Sequence, residues 1–116
     1  MASHWHILRD GAVVIVTRQL PPRFDVMAQT ELPDAGRLKI AQQVRQDMWR
    51  LLQKLRGFSP VVSVERHAAG LTVRAGGRAM HPFHRTTLEA QLAELLAEPE
   101  RRARWLRHAK LKEALK

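Results

Sequence analysis

The chain has 116 residues, a formal net charge of +9 and no cysteine, which suits one domain and excludes disulfide bonds, thiolate catalysis, cysteine zinc sites and iron–sulfur clusters. Its longest apolar run, 12–16, is far shorter than the roughly 20 residues of a membrane-spanning helix. We therefore expect a cytoplasmic protein without a membrane partner.

The positive charge is concentrated near the C-terminus. Residues 101–116 contain seven basic residues and one acidic residue, so they contribute +6 of the net charge of +9. A local basic cluster of this kind favours a polyanionic partner, such as nucleic acid or an acidic protein surface.

The first predicted element is a β-hairpin formed by residues 4–9 and 13–17. Asp10-Gly11 lies between them and is typical of a two-residue turn in which both central residues have positive φ. Residues 13–16 do not alternate with polar residues, which predicts a strand at the centre of the sheet, covered on both faces or covered in part by a second chain. Pro21 and Pro22 interrupt the pattern, and residues 24–31 are predicted to add a short edge strand.

A long helix is predicted over 35–56. Asp34 has the properties of its N-cap, and Gly57 those of the left-handed residue that follows a helix. One arc of this helix is apolar and the opposite arc is polar. The apolar arc consists of Ile40, Ala41, Val44, Met48, Leu51, Leu52 and Leu55. The polar arc consists of Lys39, Gln42, Gln43, Gln46, Asp47, Arg50, Gln53 and Lys54.

A second hairpin is predicted from the alternating residues 61–66 and 71–74, with residues 67–70 as its turn. Gly76-Gly77 is predicted to end the hairpin.

Two further helices follow. Thr86 and Glu89 have the spacing of a capping box, and Pro99 is predicted to end the first helix or begin the second. The first helix has an apolar stripe of Leu88, Leu92, Leu95 and Leu96. The second, over 100–115, shows no wide apolar face, so we expect it to be marginally ordered until an anionic partner binds.

The element order ββ(β)αββαα predicts an α+β fold, with an antiparallel sheet of four to five strands and helices packed on one face. We expect residues 1–99 to form the α+β domain and residues 100–116 to be a basic helical extension of the same domain.

Histidines are the only candidate metal ligands in a recognisable arrangement. His4 and His6 share one strand face, and His81 and His84 flank a Pro-Phe pair. Nothing in the spacing requires the two pairs to converge, and the standard zinc spacings are absent. We therefore predict no metal and no cofactor.

Arg74 and Arg78 enclose Ala75-Gly76-Gly77. If this segment formed a turn, its backbone N–H groups could bind an anion beneath the two guanidinium groups. The favoured alternative is a hairpin exit in which the glycines supply positive φ.

Arg45, Trp49 and Arg56 lie along the border of the apolar arc of the long helix. An aromatic side chain between arginines can stack on a nucleobase or anchor a protein partner. The alternative is that Trp49 covers the rim of the core and the aliphatic parts of the arginines lie over it.

No enzyme signature is present, and no catalytic residue is assigned. Asp25, Asp47 and Glu65 are carboxylates that the fold could bring together, so enzymatic activity stays open but is not favoured.

The charge distribution predicts a small basic accessory protein that binds nucleic acid mainly through its phosphate backbone. It does not distinguish DNA from RNA as the partner. The alternative is a protein-interaction module or a homodimer. The predicted contact residues are Arg45, Trp49, Arg56, Arg74, Arg78, Arg101, Arg102, Arg104, Arg107, Lys110 and Lys112.

Overall fold

One antiparallel sheet organises the chain, as seen in a computed structural model that describes residues 5–110. The strands are β1 (His6–Asp10), β2 (Val13–Thr17), β3 (Val26–Leu32), β4 (Ser59–His67) and β5 (Gly70–Arg78). The helices are α1 (Arg37–Leu52), α2 (Arg85–Ala97) and α3 (Pro99–His108). The strand order β1-β2-β4-β5-β3 confirms the predicted α+β fold and places the third strand at an edge, although with seven residues it is longer than β1 and β2.

The core lies between the helices and one face of the sheet. Val62 and Val64 of β4 and Leu71 and Val73 of β5 point to this face and are fully buried, as the alternation of the second hairpin predicts. The helices contribute the leucines of α2 and most of the predicted apolar arc of α1 to the same cluster, but Leu51 is exposed and does not belong to it. No helix within residues 5–110 is long and apolar enough to cross a membrane.

Over residues 13–16, the β2 strand is closely covered on one face only, so the prediction of a central strand covered on both faces is wrong; on the other face only Thr17, at the end of the strand, is fully buried. Val14 and Val16 are buried on the helix side, whereas Val13 and Ile15 are only half-buried on the other. The strand lies second from an edge, between β1 and β4. An apolar run shows that a strand tolerates burial on both faces, but it does not show that a second layer exists.

The first hairpin turns one residue later than predicted. Asp10 pairs with Val13, so Gly11 and Ala12 are the two loop residues. Gly11 has φ of 59°, and no residue other than glycine has positive φ among the described residues. This combination is typical of the hairpin turn that needs glycine at its first central position only.

Gly76 and Gly77 lie inside β5, so the prediction that they end the hairpin is wrong, both for the favoured hairpin exit and for the alternative anion-binding turn. Both are paired with neighbouring strands on either side. A Cβ atom on Gly76 would lie 1.9 Å from the carbonyl oxygen of Val26, and one on Gly77 would lie 2.0 Å from that of Ser59. The glycines are therefore required by the close approach of three strands, and their N–H groups do not form a loop around an anion.

The start of α1 does not use the predicted cap. Gly36 occupies the N-cap position, while the Asp34 carboxylate accepts a hydrogen bond of 2.7 Å from Arg66 Nε. The Arg66 guanidinium lowers the pKa of Asp34 below its ordinary value. The helix ends at Leu52, earlier than predicted, but Gly57 does adopt the left-handed conformation, with φ of 76°.

The capping box at Thr86 is also wrong, because α2 begins at Arg85 with no side-chain cap. Glu89 accepts a hydrogen bond of 3.0 Å from the backbone N–H of Met27 in β3 instead. The leucine stripe of α2 is confirmed, and Pro99 is the first residue of α3, where Glu98 accepts the N–H groups of Glu100 and Arg101.

The α3 helix is docked in the core, contrary to the expectation that it has no surface to pack. Trp105 is completely buried and Ala109 is 1% exposed. The Trp105 Nε1 group donates a 2.7 Å hydrogen bond to the carboxylate of Asp47, and Arg104 donates to the same carboxylate. Asp47 itself is 5% exposed, although the helical pattern places it on the polar arc of α1.

A pair of substitutions in β2 tests the one-sided burial. We expect Val14→Asp to lower the free energy of unfolding by about 3 kcal/mol or more, because it places an unpaired charge in the core. Ile15→Asp on the half-buried face should have a clearly smaller effect. Urea unfolding followed by circular dichroism measures both, and equal losses would contradict this placement of β2.

Substitution of Asp47 tests the link between α1 and α3. We expect Asp47→Ala to lower the free energy of unfolding by about 3–5 kcal/mol, because it leaves Trp105 Nε1 and the Arg104 guanidinium without their acceptor. Asp34→Ala is the matched control, since it breaks an exposed ion pair, which contributes little to stability. Equal melting temperatures for the two variants would show that the Asp47 contact is not structural.

Candidate nucleic-acid interface

The topology brings three arginine-containing connections to one end of the sheet. These are residues 18–25 after β2, residues 53–58 before β4, and residues 78–85 at the end of β5. Together they contain six basic residues and one acidic residue, a net charge of +5. The connections at the opposite end, 10–13, 32–36 and 66–70, contain one basic and two acidic residues, a net of −1. We call the first group of connections the basic end.

An aromatic cleft opens beside the basic end. Trp5, Trp49 and Phe58 line it together with the aliphatic side chains at the end of α1, and its volume is about 90 Å³. Trp49 is 53% exposed, so it is not a rim residue sealed by its neighbours. A cleft lined by three partly accessible aromatic rings can receive a planar group by stacking.

The cations of this cleft surround Trp5. The guanidinium carbon of Arg45 lies 4.5 Å from the centroid of the Trp5 ring, and that of Arg18 lies 5.6 Å away. The guanidinium group of Arg45 therefore lies over Trp5. One interpretation of the helix border predicts instead that it covers Trp49. Burial lowers the pKa of Arg45, which starts so high that the group stays cationic at neutral pH. Both arginines attract anions while they hold the indole ring in place.

Trp5, Arg18 and Phe58 were missed by the sequence analysis, although a signal for two of them exists. The hairpin register pairs His6 with Thr17, so Trp5 and Arg18 are opposite each other one residue beyond the ladder. A tryptophan and an arginine that leave a hairpin together form a natural cation–π pair.

Two wider hollows continue along the basic end. One, of about 270 Å³, is lined by residues that include Gln19, Arg23, Gly57 and Arg78. The other, of about 410 Å³, shares Arg23 and Ala79 with it and extends to Arg85. The hollows therefore adjoin, and they follow the same connections that carry the charge.

Some of the charge at this end is neutralised by a local pair. The Arg23 guanidinium donates two hydrogen bonds of 3.0 Å to Asp25, which also accepts the N–H of Ala79 at 2.9 Å. These hydrogen bonds lower the pKa of Asp25, and the bonds from Arg23 have the larger effect. The carboxylate therefore stays ionised at neutral pH and offsets the charge of Arg23.

The other arginines at this end bond to neutral groups or to no described side chain. Arg78 donates to the carbonyl oxygen of Pro21 at 2.6 Å, and Arg85 donates to that of Asp25 at 3.0 Å. Neither acceptor is a carboxylate, so these hydrogen bonds are not ion pairs. Lys54 and Arg56 are exposed and form no ion pair with the described residues.

The remaining predicted contact residues do not belong to this end. Arg74 lies on the sheet face opposite the helices, bonded to Gln29 and Glu65. Arg102 bonds to β3 and to Leu96, and Arg104 bonds to Asp47.

The last basic residues of the described chain lie at the far end of the domain. Ala109 accepts a 2.8 Å hydrogen bond from Gly36 N–H, which places it beside the start of α1. Arg107 and Lys110 are exposed there. Arg101 lines a hollow with Arg50 and Arg104. Lys112 is outside the described residues. The structure thus places Arg45, Trp49, Arg56 and Arg78 at or beside the basic end, whereas Arg107 and Lys110 lie near the start of α1.

The histidines have other partners. His81 packs against Phe83 with ring centroids 4.6 Å apart, His84 precedes α2, and His67 bonds to Glu31 and Thr72. His4 lies outside the described residues. Within residues 5–110, no three histidine, aspartate or glutamate side chains are grouped so that they could hold a metal ion. The carboxylates of Asp25, Asp47 and Glu65 each bond to a different arginine.

Comparison with known proteins adds no relative. No family model matches the chain, and neither the curated proteins nor the solved structures give a significant match.

Proposed function

We propose that the protein binds single-stranded nucleic acid at its basic end, with phosphates on the arginines and lysines of the three connections and a base stacked in the aromatic cleft. The observation that carries the proposal is the juxtaposition of a net charge of +5 with a cleft formed by Trp5, Trp49 and Phe58. Positive grooves that follow the backbone, combined with aromatic platforms, are the usual means of binding single strands without base-edge recognition.

A single strand fits this surface better than a duplex for a geometric reason. The cleft is narrow, about 90 Å³, and it receives the flat face of a ring only if that ring is not already stacked between neighbours.

Arg107 and Lys110 can contribute only as secondary phosphate contacts in this arrangement, and Lys112 lies outside the described residues. Arg107 is in the last turn of α3, and Lys110 follows Ala109, which bonds to Gly36 at the start of α1, the end of that helix opposite Trp49. A short strand bound at the basic end does not reach them, whereas a longer strand can.

The stacking contact is tested by Trp49→Ala. We expect affinity for a labelled strand of about eight nucleotides to fall roughly 5- to 150-fold, since one base–aromatic stack contributes about 1–3 kcal/mol. Leu51→Ala is the matched control, because Leu51 is an exposed apolar residue of the same helix, 39% exposed and outside the cleft. Fluorescence anisotropy measures both variants. Equal affinities for the two would contradict stacking at Trp49.

The phosphate contacts are tested by two double variants of equal charge change. We expect Lys54→Ala/Arg56→Ala to reduce the slope of log affinity against log salt by about 1.4, or about 0.7 for each phosphate contact to a single strand. Lys39→Ala/Arg107→Ala removes two exposed cations away from the basic end and should leave the slope for a short strand nearly unchanged. If both pairs weaken binding alike, net charge alone attracts the strand and the proposed site is wrong.

Two truncations test how much the C-terminal residues contribute to nucleic-acid binding. Removal of 111–116 takes away a net charge of +1, so we expect short-strand affinity to change little. Removal of 100–116 also takes away the buried Trp105 and should unfold the protein, which thermal melting by circular dichroism will show. Loss of most affinity on removal of 111–116 alone would place the principal contacts at the C-terminus instead.

A further inference from the structure

The two edges of the sheet differ sharply in how their backbone groups are used. On the β3 edge, Glu89 accepts the N–H of Met27 at 3.0 Å, and Arg102 donates to the carbonyl oxygen of Glu31 at 2.6 Å. Arg85 donates to the carbonyl oxygen of Asp25 just before the strand. Side chains of α2 and α3 thus occupy this edge, which prevents another strand from pairing with it.

The β1 edge has no such cover among the described residues. No side chain or backbone group of residues 5–110 bonds to the backbone of β1, apart from its partner β2. Asp10 and Val13 flank a two-residue loop. In a hairpin of this kind, the two flanking residues form both N–H···O=C hydrogen bonds with each other. Hydrogen-bonding direction alternates along a strand, so Ile7 and Arg9 direct their N–H and C=O groups outward.

We propose that β1 pairs with β1 of a second copy of this chain, so that two five-stranded sheets join into one. The partner is specified by the sequence of β1, His-Ile-Leu-Arg-Asp, which complements itself in the antiparallel direction. Around a two-fold axis through Leu8, each His6 faces Asp10 of the second copy, and each Ile7 faces Arg9.

This register is selected over its neighbours by backbone geometry and charge. Only registers that place outward residues opposite outward residues form hydrogen bonds, so the possible two-fold axes pass through Ile7, Leu8 or Arg9. An axis at Arg9 places two guanidinium groups side by side, and an axis at Ile7 leaves Asp10 outside the ladder. The axis at Leu8 pairs all five residues and forms four backbone hydrogen bonds, two for each Ile7–Arg9 pair.

The side chains of β1 suit such a joint. Ile7 is 45% exposed, which is high for an isoleucine in a strand, and pairing would cover it with the aliphatic part of Arg9. Leu8 lies on the open face of the sheet beside its ladder partner Ile15. Two Leu8 residues would meet as a non-hydrogen-bonded pair, in which side chains approach most closely.

The first experiment measures mass in solution. Sedimentation velocity of the full chain should show a species of twice 13.3 kDa that dissociates on dilution. Arg9→Pro removes an outward N–H that the protomer does not use, and with it two of the four proposed bonds, so the dimer should weaken about tenfold or more. Arg9→Ala is the control that removes the side chain but keeps the N–H. A native chain that remains monomeric at high concentration, or a dimer that Arg9→Pro leaves intact, would overturn the proposal.

A second experiment tests the register and does not depend on the proline variant folding. The chain has no cysteine, so Leu8→Cys introduces a single thiol on the proposed axis. Facing non-hydrogen-bonded positions have Cα separations of about 4.5 Å, within the range that a disulfide spans. Mild oxidation should crosslink Leu8→Cys much faster than Gln29→Cys on the β3 edge, which is the matched control. Equal crosslinking of the two, or none, would exclude this interface.

Discussion

The buried carboxylate of Asp47 is the interaction on which the arrangement of the helices depends. It accepts hydrogen bonds from Trp105 Nε1 and from Arg104, and thereby connects the middle of α1 to α3. A buried carboxylate without partners would be strongly unfavourable, so the docking of α3 stabilises α1 in this position. The same contact gives the polar edge of Trp105 an acceptor inside the core, and this lets a helix rich in arginine bury its largest side chain.

Docking of α3 determines what the neighbouring arginines do. It places Arg102 against β3, where the guanidinium group bonds to Thr30 and Glu31 and closes one edge of the sheet. Arg66 bonds to Asp34 and to the carbonyl oxygen of Ala35, and so holds the connection into α1. A net charge of +9 is therefore a poor measure of the binding surface, because several arginines complete the fold. At the basic end, Arg23 is paired with Asp25, whereas the other five cations form no ion pair with the described residues.

The elements that sequence analysis predicted correctly are those whose signal lies in a local repeat. Alternation in the second hairpin and the leucine spacing of α2 each reflect one buried face, and the structure confirms both. The errors at Asp34, Glu89 and Asp47 share a cause, because each carboxylate bonds to a residue more than 30 positions away in the sequence. Local patterns assign such side chains to caps or to solvent, since the competing partner is fixed only by tertiary structure. The glycine pair of β5 was misinterpreted for the same reason, because the crowding that requires it comes from β3 and β4.

The aromatic cleft and the β1 edge lie next to each other, yet they use different atoms. Trp5 directly precedes β1, and its side chain lies beneath Arg18 and Arg45, whereas strand pairing uses the backbone of Ile7 and Arg9. Antiparallel pairing about Leu8 would direct the two basic ends to opposite ends of a ten-stranded sheet. Such a dimer would present two separated sites to one nucleic-acid strand. Binding at both sites would raise the apparent affinity for long nucleic-acid strands without changing the affinity for short ones. Affinities for nucleic-acid strands of different length therefore distinguish the contribution of each single site from that of the dimer.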